Sequence, residues 1–269
     1  MAITTDQSRF VFRGNAMPFG GRVVNIGGTP VSKPIEGPPS SALTVAGGRS
    51  YATGKPSSFN NIFKWGDTVA ESVGLIRPAD NHAVTTVTSM VKSFAATNAP
   101  ITFEADVLKA VIVSDHPTRG QPSIKITEAV FGGSVGMFLN GKRIVVELDD
   151  FTPKFGTLAL FESEYRTNNA FYTRYNGRFR RSSTKAPLLG ERLPRVGGYV
   201  STSIVRSIQW NGKKINGHVL PLTGFGKIYF GELLMNEYNR RLTIIRLAMG
   251  SHINAESACA EADPNGSWD

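Results

Sequence analysis

The sequence predicts an all-β protein of antiparallel sheets, sandwich or barrel-like, with at most one short helix. Three observations carry this. Apolar residues recur at period two in short runs rich in Val, Ile, Thr, Phe and Tyr. Gly, Pro, Asn and Ser separate the runs, and Asn-Gly, the dipeptide selected by a two-residue type I′ hairpin turn, stands between two pairs of them. At 269 residues and 41% hydrophobic content the chain is long enough to bury a sizeable core.

In chain order, Arg9–Arg13 and Arg22–Ile26 read as strands. Gly27–Ser58 holds Gly, Pro and Ser too densely for regular structure and reads as an extended arm or surface loop. Residues 1–60 are therefore expected to form an N-terminal strand and arm, and 61–269 the β core. The single helix is expected within Asn61–Val73, where Phe63, Val69 and Val73 share a face; Gly66 weakens it. Strands are expected at Val84–Phe94, Ile101–Val113, Ser123–Phe131, Val135–Leu139, Arg143–Leu148, Thr157–Tyr165, Phe171–Phe179, Tyr199–Trp210, Gly226–Leu234 and Arg241–Met249. Leu108, Val111 and Ile112 also share a helical face, but three β-branched residues in the last four of Ile101–Val113 favour the strand.

The chain also echoes itself. Asn140–Tyr165 aligns with Asn211–Tyr238: both open on Asn-Gly-Lys-basic-Ile, and Phe155-Gly156 and Phe225-Gly226 follow at similar distances. Either the core is two related lobes, about 61–180 and 181–269, or two hairpins share one turn chemistry.

A formal charge of +9 favours anionic partners: nucleic acid, acidic polysaccharide, a lipid surface or an acidic patch on another subunit. The lone Cys259 excludes an intramolecular disulfide and any multi-thiolate zinc site. The N-terminus lacks a positive region leading into an apolar run, and nowhere do 18 apolar residues follow one another. A chain without an export signal or transmembrane span is expected, cytoplasmic or part of an assembly, its compartment otherwise open.

Two catalytic spellings overlap in GGSVGMFLNGKR. Gly132–Gly136 fits G-x-S-x-G, but a nucleophile elbow passes from strand into helix, and the residues after Ser134 read as strand. Gly136–Lys142 fits the phosphate-loop spacing. There, Met137, Phe138 and Leu139 replace small residues, Arg143 replaces the magnesium-binding hydroxyl, and Asn140-Gly141 reads as a hairpin turn. His82, His116, His218 and His252 show no metal-ligand spacing. The terminal DPNGSWD resembles part of a calcium loop but lacks the distal Glu and contains Pro264, so it reads as a solvated tail. Glu162 with Glu164, and Asp149 with Asp150, suit a solvent face or salt contact as well as acid–base work. No catalytic residue, cofactor or metal is expected.

The one regional anomaly is Arg166–Arg206, with nine Lys or Arg against the single acid Glu191. Phe171, Tyr172, Tyr175 and Phe179 interleave with the cations. On strands either side of Asn176-Gly177, rings and guanidinium groups would share a face. Arg174, Tyr175, Arg178, Phe179, Arg180 and Arg181 are the candidate contact residues, for an anion or for another subunit. The acids Glu256, Glu261, Asp263 and Asp269 suit such a subunit contact.

The expected function is a non-enzymatic structural or interaction protein. It self-associates through β edges, an arm contact at Phe10–Gly21 and the basic segment. The alternatives are a binding module for an anionic polymer and, last, a serine hydrolase using Ser134.

Overall fold

The computed structural model describes residues 9–150, 152–176, 195, 198–250 and 253–268. Nineteen strands are described. The first seven are β1 (Phe10–Ile26), β2 (Thr29–Pro34), β3 (Ser41–Ala42), β4 (Gly48–Gly54), β5 (Ser57–Phe59), β6 (Phe63–Trp65) and β7 (Thr68–Arg77). Then come β8 (His82–Asn98), β9 (Ile101–His116), β10 (Ser123–Phe131), β11 (Met137–Leu139) and β12 (Lys142–Leu148). A 3-10 turn at Thr152–Phe155 leads into helices α1 (Leu158–Thr167) and α2 (Asn169–Asn176). The chain closes with β13 (Val200–Ser203), β14 (Val205–Trp210), β15 (Lys213–Asn216), β16 (Val219–Leu222), β17 (Gly226–Met235), β18 (Arg240–Met249) and β19 (Ile253–Trp268).

These strands form two antiparallel sheets in a sandwich-like arrangement, not a closed barrel. The first sheet runs β13-β17-β18-β19-β1-β2, with β16 on β17 and β3 on β1. The second runs β15-β14-β12-β11-β9-β8-β6-β5; β7 extends it from β8, β4 from β7 and β10 from β9. The chain changes sheets at Ile204, between β13 and β14, whose amide bonds Gly231 and whose carbonyl receives the Asp149 amide.

The alternating pattern sets the core. Along β8, Ala83, Thr85, Val87, Ser89 and Val91 are buried while the residues between them are half-buried, because successive strand side chains take opposite faces. β1, β18 and β19 lie across β7, β8 and β9. Phe19 sits at the centre of one end, its ring 5.2 Å from Phe63, 5.0 Å from Trp65 and 5.2 Å from Phe94. Full burial of such a ring contributes about 2–3 kcal/mol. Phe10, Phe12, Ala83 and Trp268 close the opposite end.

Both Asn-Gly turns form as the sequence predicts. Asn140 and Gly141 take φ of +49° and +71°, Asn211 and Gly212 +51° and +73°. Leu139 faces Lys142, and Trp210 faces Lys213, across two-residue loops. The echoed segments then diverge: Phe155-Gly156 leads into α1, Phe225-Gly226 into β17.

Several expectations change. The helix expected in Asn61–Val73 is instead β6 and β7, because the β-branched Thr68, Val69 and Val73 suit a sheet and inward-facing Ala70 and Ser72 leave room for β1. Of Thr157–Tyr165 and Phe171–Phe179, both expected as strands, Leu158–Tyr165 falls on α1 and Phe171–Asn176 on α2, while 177–179 lie outside the described residues, so the described residues include two α-helices and not one. The Thr157 hydroxyl caps α1 by accepting the Leu160 amide at 3.0 Å, and Leu158, Phe161 and Tyr165 bury one helical face. Gly27–Ser58 is partly regular, since it contains β2 to β5.

The expected solvated tail is the end of β19, paired with β1 from Ile26 opposite Ile253 to Phe10 opposite Trp268. Pro264 is tolerated because the β18 ladder ends at Leu242 opposite Ala262, so no second strand needs its missing N–H. Phe10–Gly21, expected as an arm contact, is therefore paired inside the first sheet.

Candidate interaction face

Of the six basic-segment candidates, Arg174 and Tyr175 are described; Arg178, Phe179, Arg180 and Arg181 lie outside the described residues. Tyr175 is fully buried, its ring 4.4 Å from Phe171, 5.6 Å from Phe155 and 5.8 Å from Phe161. Arg174 Nη1 donates to Asp149 Oδ1 at 2.9 Å and Asp150 Oδ1 at 2.8 Å. On a helix, residues 171 and 175 share the inner face, so these groups hold α2 onto the sandwich.

Ser134 is exposed in the turn between β10 and β11, which the Gly136 amide closes on the Gly132 carbonyl at 2.7 Å. A Cβ on Gly132 would come within 2.4 Å of the Gly136 carbonyl carbon, so the glycines serve the turn. A strand follows Ser134, and the geometry lacks the helix an elbow uses.

His82 meets Asp115 at 2.7 Å, beside Arg77, which also bonds Asp80 and Asp115. Arg77 holds the Asp80 carboxyl down at about 2. His116 contacts the Ser114 hydroxyl at 2.5 Å, but Ser114 is wholly buried, so this pair meets no substrate. Burial pushes His116 down to about 4. His218 stands 4.0 Å from Glu232; His252 lies outside the described residues. Among the described residues no cluster of His, Cys, Asp or Glu could hold a metal ion, and no helix is long and apolar enough to cross a membrane.

The feature that composition alone conceals is the outer face of β4-β7-β8-β9-β10. Strand registers align its outward side chains in four rows. The first is Thr53, Val69, Met90, Lys109, Val130; the second is Tyr51, Glu71, Thr88, Val111, Glu128. The third is Arg49, Val73, Thr86, Val113, Lys125; the last is Leu75, Val84, Asp115, Ser123. Tyr51 is 55% and Leu75 47% exposed, the valines and Met90 are half-buried, and no described strand or helix packs across them. The solvent side of an antiparallel sheet is ordinarily polar; here nine of the nineteen outward residues are Val, Met, Leu or Tyr, interleaved with ten that are Thr, Ser or charged.

Its charges balance: Arg49, Lys109 and Lys125 against Glu71, Glu128 and Asp115. Arg49 meets Glu71 at 2.7 Å and Lys109 meets Glu128 at 2.6 Å. A chain of net charge +9 therefore has one broad surface whose own charges balance and which gathers eight aliphatic side chains. Sequence reasoning passes it by because each strand alternates correctly; only the register shows that Val69, Val73, Leu75, Val84, Met90, Val111, Val113 and Val130 share one face.

The outer strands β2, β15 and β10 are blunted. β2 carries Pro30, Pro34 and Lys33, and β15 carries Lys213 and Lys214. β10 is bulged at Thr127 and covered at Ile124, whose amide bonds Gly156. Each device discourages strand addition.

A family model described as a domain of unknown function, DUF8256, matches residues 10–236, a span that contains all five strands of this face. Neither a curated protein nor a solved structure matches the chain. With the family model covering most of its length, the chain belongs to the DUF8256 family.

Proposed function

We propose that this is a non-enzymatic structural protein that self-associates, and that the outer face of β4-β7-β8-β9-β10 is where a second copy stacks. The observation that carries the reading is the alignment of Val69, Val73, Leu75, Val84, Met90, Val111, Val113 and Val130 on one uncovered, electrically neutral surface. Five strands span about 20 Å and seven residues of strand about 20 Å. Stacking two such faces removes on the order of 1,000 Å² from water, the lower limit for a specific interface. A second copy fits better than an acidic or basic partner because the face has no charge excess to attract either. The blunting of β2, β15 and β10 favours association face to face over strand addition at those edges.

Sedimentation and light scattering across concentration test this. The wild type is expected to grow in mass with concentration. Val111→Glu, which places a carboxylate at the centre of the face, is expected to remain monomeric with an unchanged far-ultraviolet spectrum. A wild type that stays strictly monomeric at high concentration, with and without salt, overturns the proposal.

A further inference from the structure

The four rows on the outer face of β4-β7-β8-β9-β10 form a pattern that can be matched against itself. A closed pair of identical chains uses the same patch on both sides, related by a two-fold axis. For two sheets stacked face to face, that axis lies between them, and it runs either along the strands or across them.

With the axis along the strands and over β8, β4 meets β10 of the second copy and β7 meets β9, row by row. Arg49 then faces Lys125, Lys109 lies on Val69, Asp115 on Leu75 and Glu71 on Val111. Two cations are opposed and three charges are pressed onto aliphatic side chains, which disfavours this setting.

With the axis across the strands, midway between the second and third rows, each strand meets its own copy running the other way. The second row then meets the third and the first meets the last. Lys109 faces Asp115, and Glu128 faces Lys125. Val111 meets Val113, Met90 meets Val84 and Val69 meets Leu75. Tyr51 meets Arg49, whose guanidinium already lies 5.4 Å from the Tyr51 ring centre of its own chain. Glu71 meets Val73 and keeps its in-chain Arg49 at 2.7 Å. Every contact occurs twice, and the in-chain bond of Lys109 to Glu128 at 2.6 Å joins the crossing pairs into one network. Stacked sheets turn by about 30° against each other, which displaces a residue two strands from the centre by about 5 Å, within the reach of Lys and Glu side chains.

We infer that two copies stack through a two-fold axis running across the strands, with Lys109 opposite Asp115 and Glu128 opposite Lys125 of the second copy. The inference rests on the self-association proposed above and adds the orientation of the partner and the charges that select it.

Sedimentation equilibrium of Glu128→Lys, of Lys125→Glu and of their equimolar mixture tests it. Either variant alone sets like charges against each other twice and is expected to weaken association about tenfold. In the mixture the lysine introduced at one position meets the glutamate introduced at the other, and the native Lys125 meets the native Glu128. Association is expected to return to within about threefold of the wild type, which also shows that both variants are folded. Lys227→Glu makes the same charge change on β17 of the other sheet, and mixed with Glu128→Lys it is expected to restore nothing.

An axis along the strands predicts the reverse for Lys125→Glu, which would then face Arg49 and tighten association. Tighter or unchanged association of Lys125→Glu, a mixture no better than its components, or equal rescue by Lys227→Glu overturns the orientation and leaves stacking itself standing. A wild type that stays monomeric removes both.

Discussion

The two sheets have contrasting outer faces. That of the first carries an ionic ladder. Arg246 forks onto Glu232 and lies 3.7 Å over the Tyr229 ring, while Arg241 reaches Asp263 at 3.0 Å and Glu261 at 3.6 Å. The Glu232 and Asp263 side chains are only 5% and 10% exposed. Burial pushes the Glu261 and Asp263 carboxyls up, and Arg241 opposes it. The outer face of the second sheet interleaves Val, Met and Thr with three cations and three acids, its Arg49–Glu71 and Lys109–Glu128 pairs open to water. The contrast teaches that two strand patterns of equal regularity specify different surfaces. One holds its polar groups inside the fold, where removing a partner is costly; the other keeps apolar groups outside, where they suit a contact.

The contrast is broken most directly at Glu232. Glu232→Ala leaves the largely buried Arg246 guanidinium facing the exposed Glu256 at 3.7 Å in place of its forked partner, and is expected to cost about 3 kcal/mol, read as a lower urea midpoint. A loss below 1 kcal/mol would make the ladder no more demanding than an exposed pair.

Acid titration separates the buried groups by sign. His116 sits between the sheets with its folded value depressed to about 4 from the ordinary 6.5. The unfolded chain therefore takes up a proton that the fold refuses, so stability is lost as pH falls from about 6.5 towards 4. The loss attributable to it is about 3 kcal/mol. Glu261 and Asp263, with raised values, act in the opposite sense: their fold prefers the protonated form, so their contribution favours the native state on acidification. In urea unfolding at several pH values, His116→Gln is expected to lose the steep dependence between about pH 6.5 and 4, leaving the carboxylates, among which Glu261 and Asp263 oppose the lowered Asp80, Glu147, Asp150 and Glu164. An unchanged acid slope would remove His116 as its cause.

On the apolar face, Val111→Glu is expected to change unfolding stability by about 1 kcal/mol or less while abolishing the concentration-dependent mass, because the residue faces outward. The smallest effect belongs to Arg49, 65% exposed beside Glu71. Arg49→Ala is expected to shift stability by less than about 0.5 kcal/mol, one Arg–Glu pair against the other showing what burial adds.

Much of the sandwich was legible because strand alternation and Asn-Gly turns are local signals. Leu139-Asn140-Gly141-Lys142 and Trp210-Asn211-Gly212-Lys213 needed nothing beyond φ preferences to turn the chain. The helices were less legible because Phe171, Tyr172, Thr173 and Tyr175 have high β propensity. The competing signal was present, in the Thr157 cap and the spacing of Leu158, Phe161 and Tyr165, but only burial against Phe155 and Phe171 makes it prevail. Of the candidate site, Tyr175 stands out by composition and proves to be core. The outer face of β4-β7-β8-β9-β10 does not stand out, because it collects residues from several strands.

What the sequence by itself determined is therefore what neighbours along the chain decide: strand periodicity, hairpin turns, the absence of an intramolecular disulfide, an excess of positive charge. The tertiary structure alone decided which strands lie side by side. Pairing set the Val69, Met90, Val111 and Val113 surface, made the acidic C-terminal segment a strand paired with β1, and brought two distant Asn-Gly turns to one edge. Period two tells each side chain which face of its own strand it takes; only hydrogen-bonded register tells it who stands next to it.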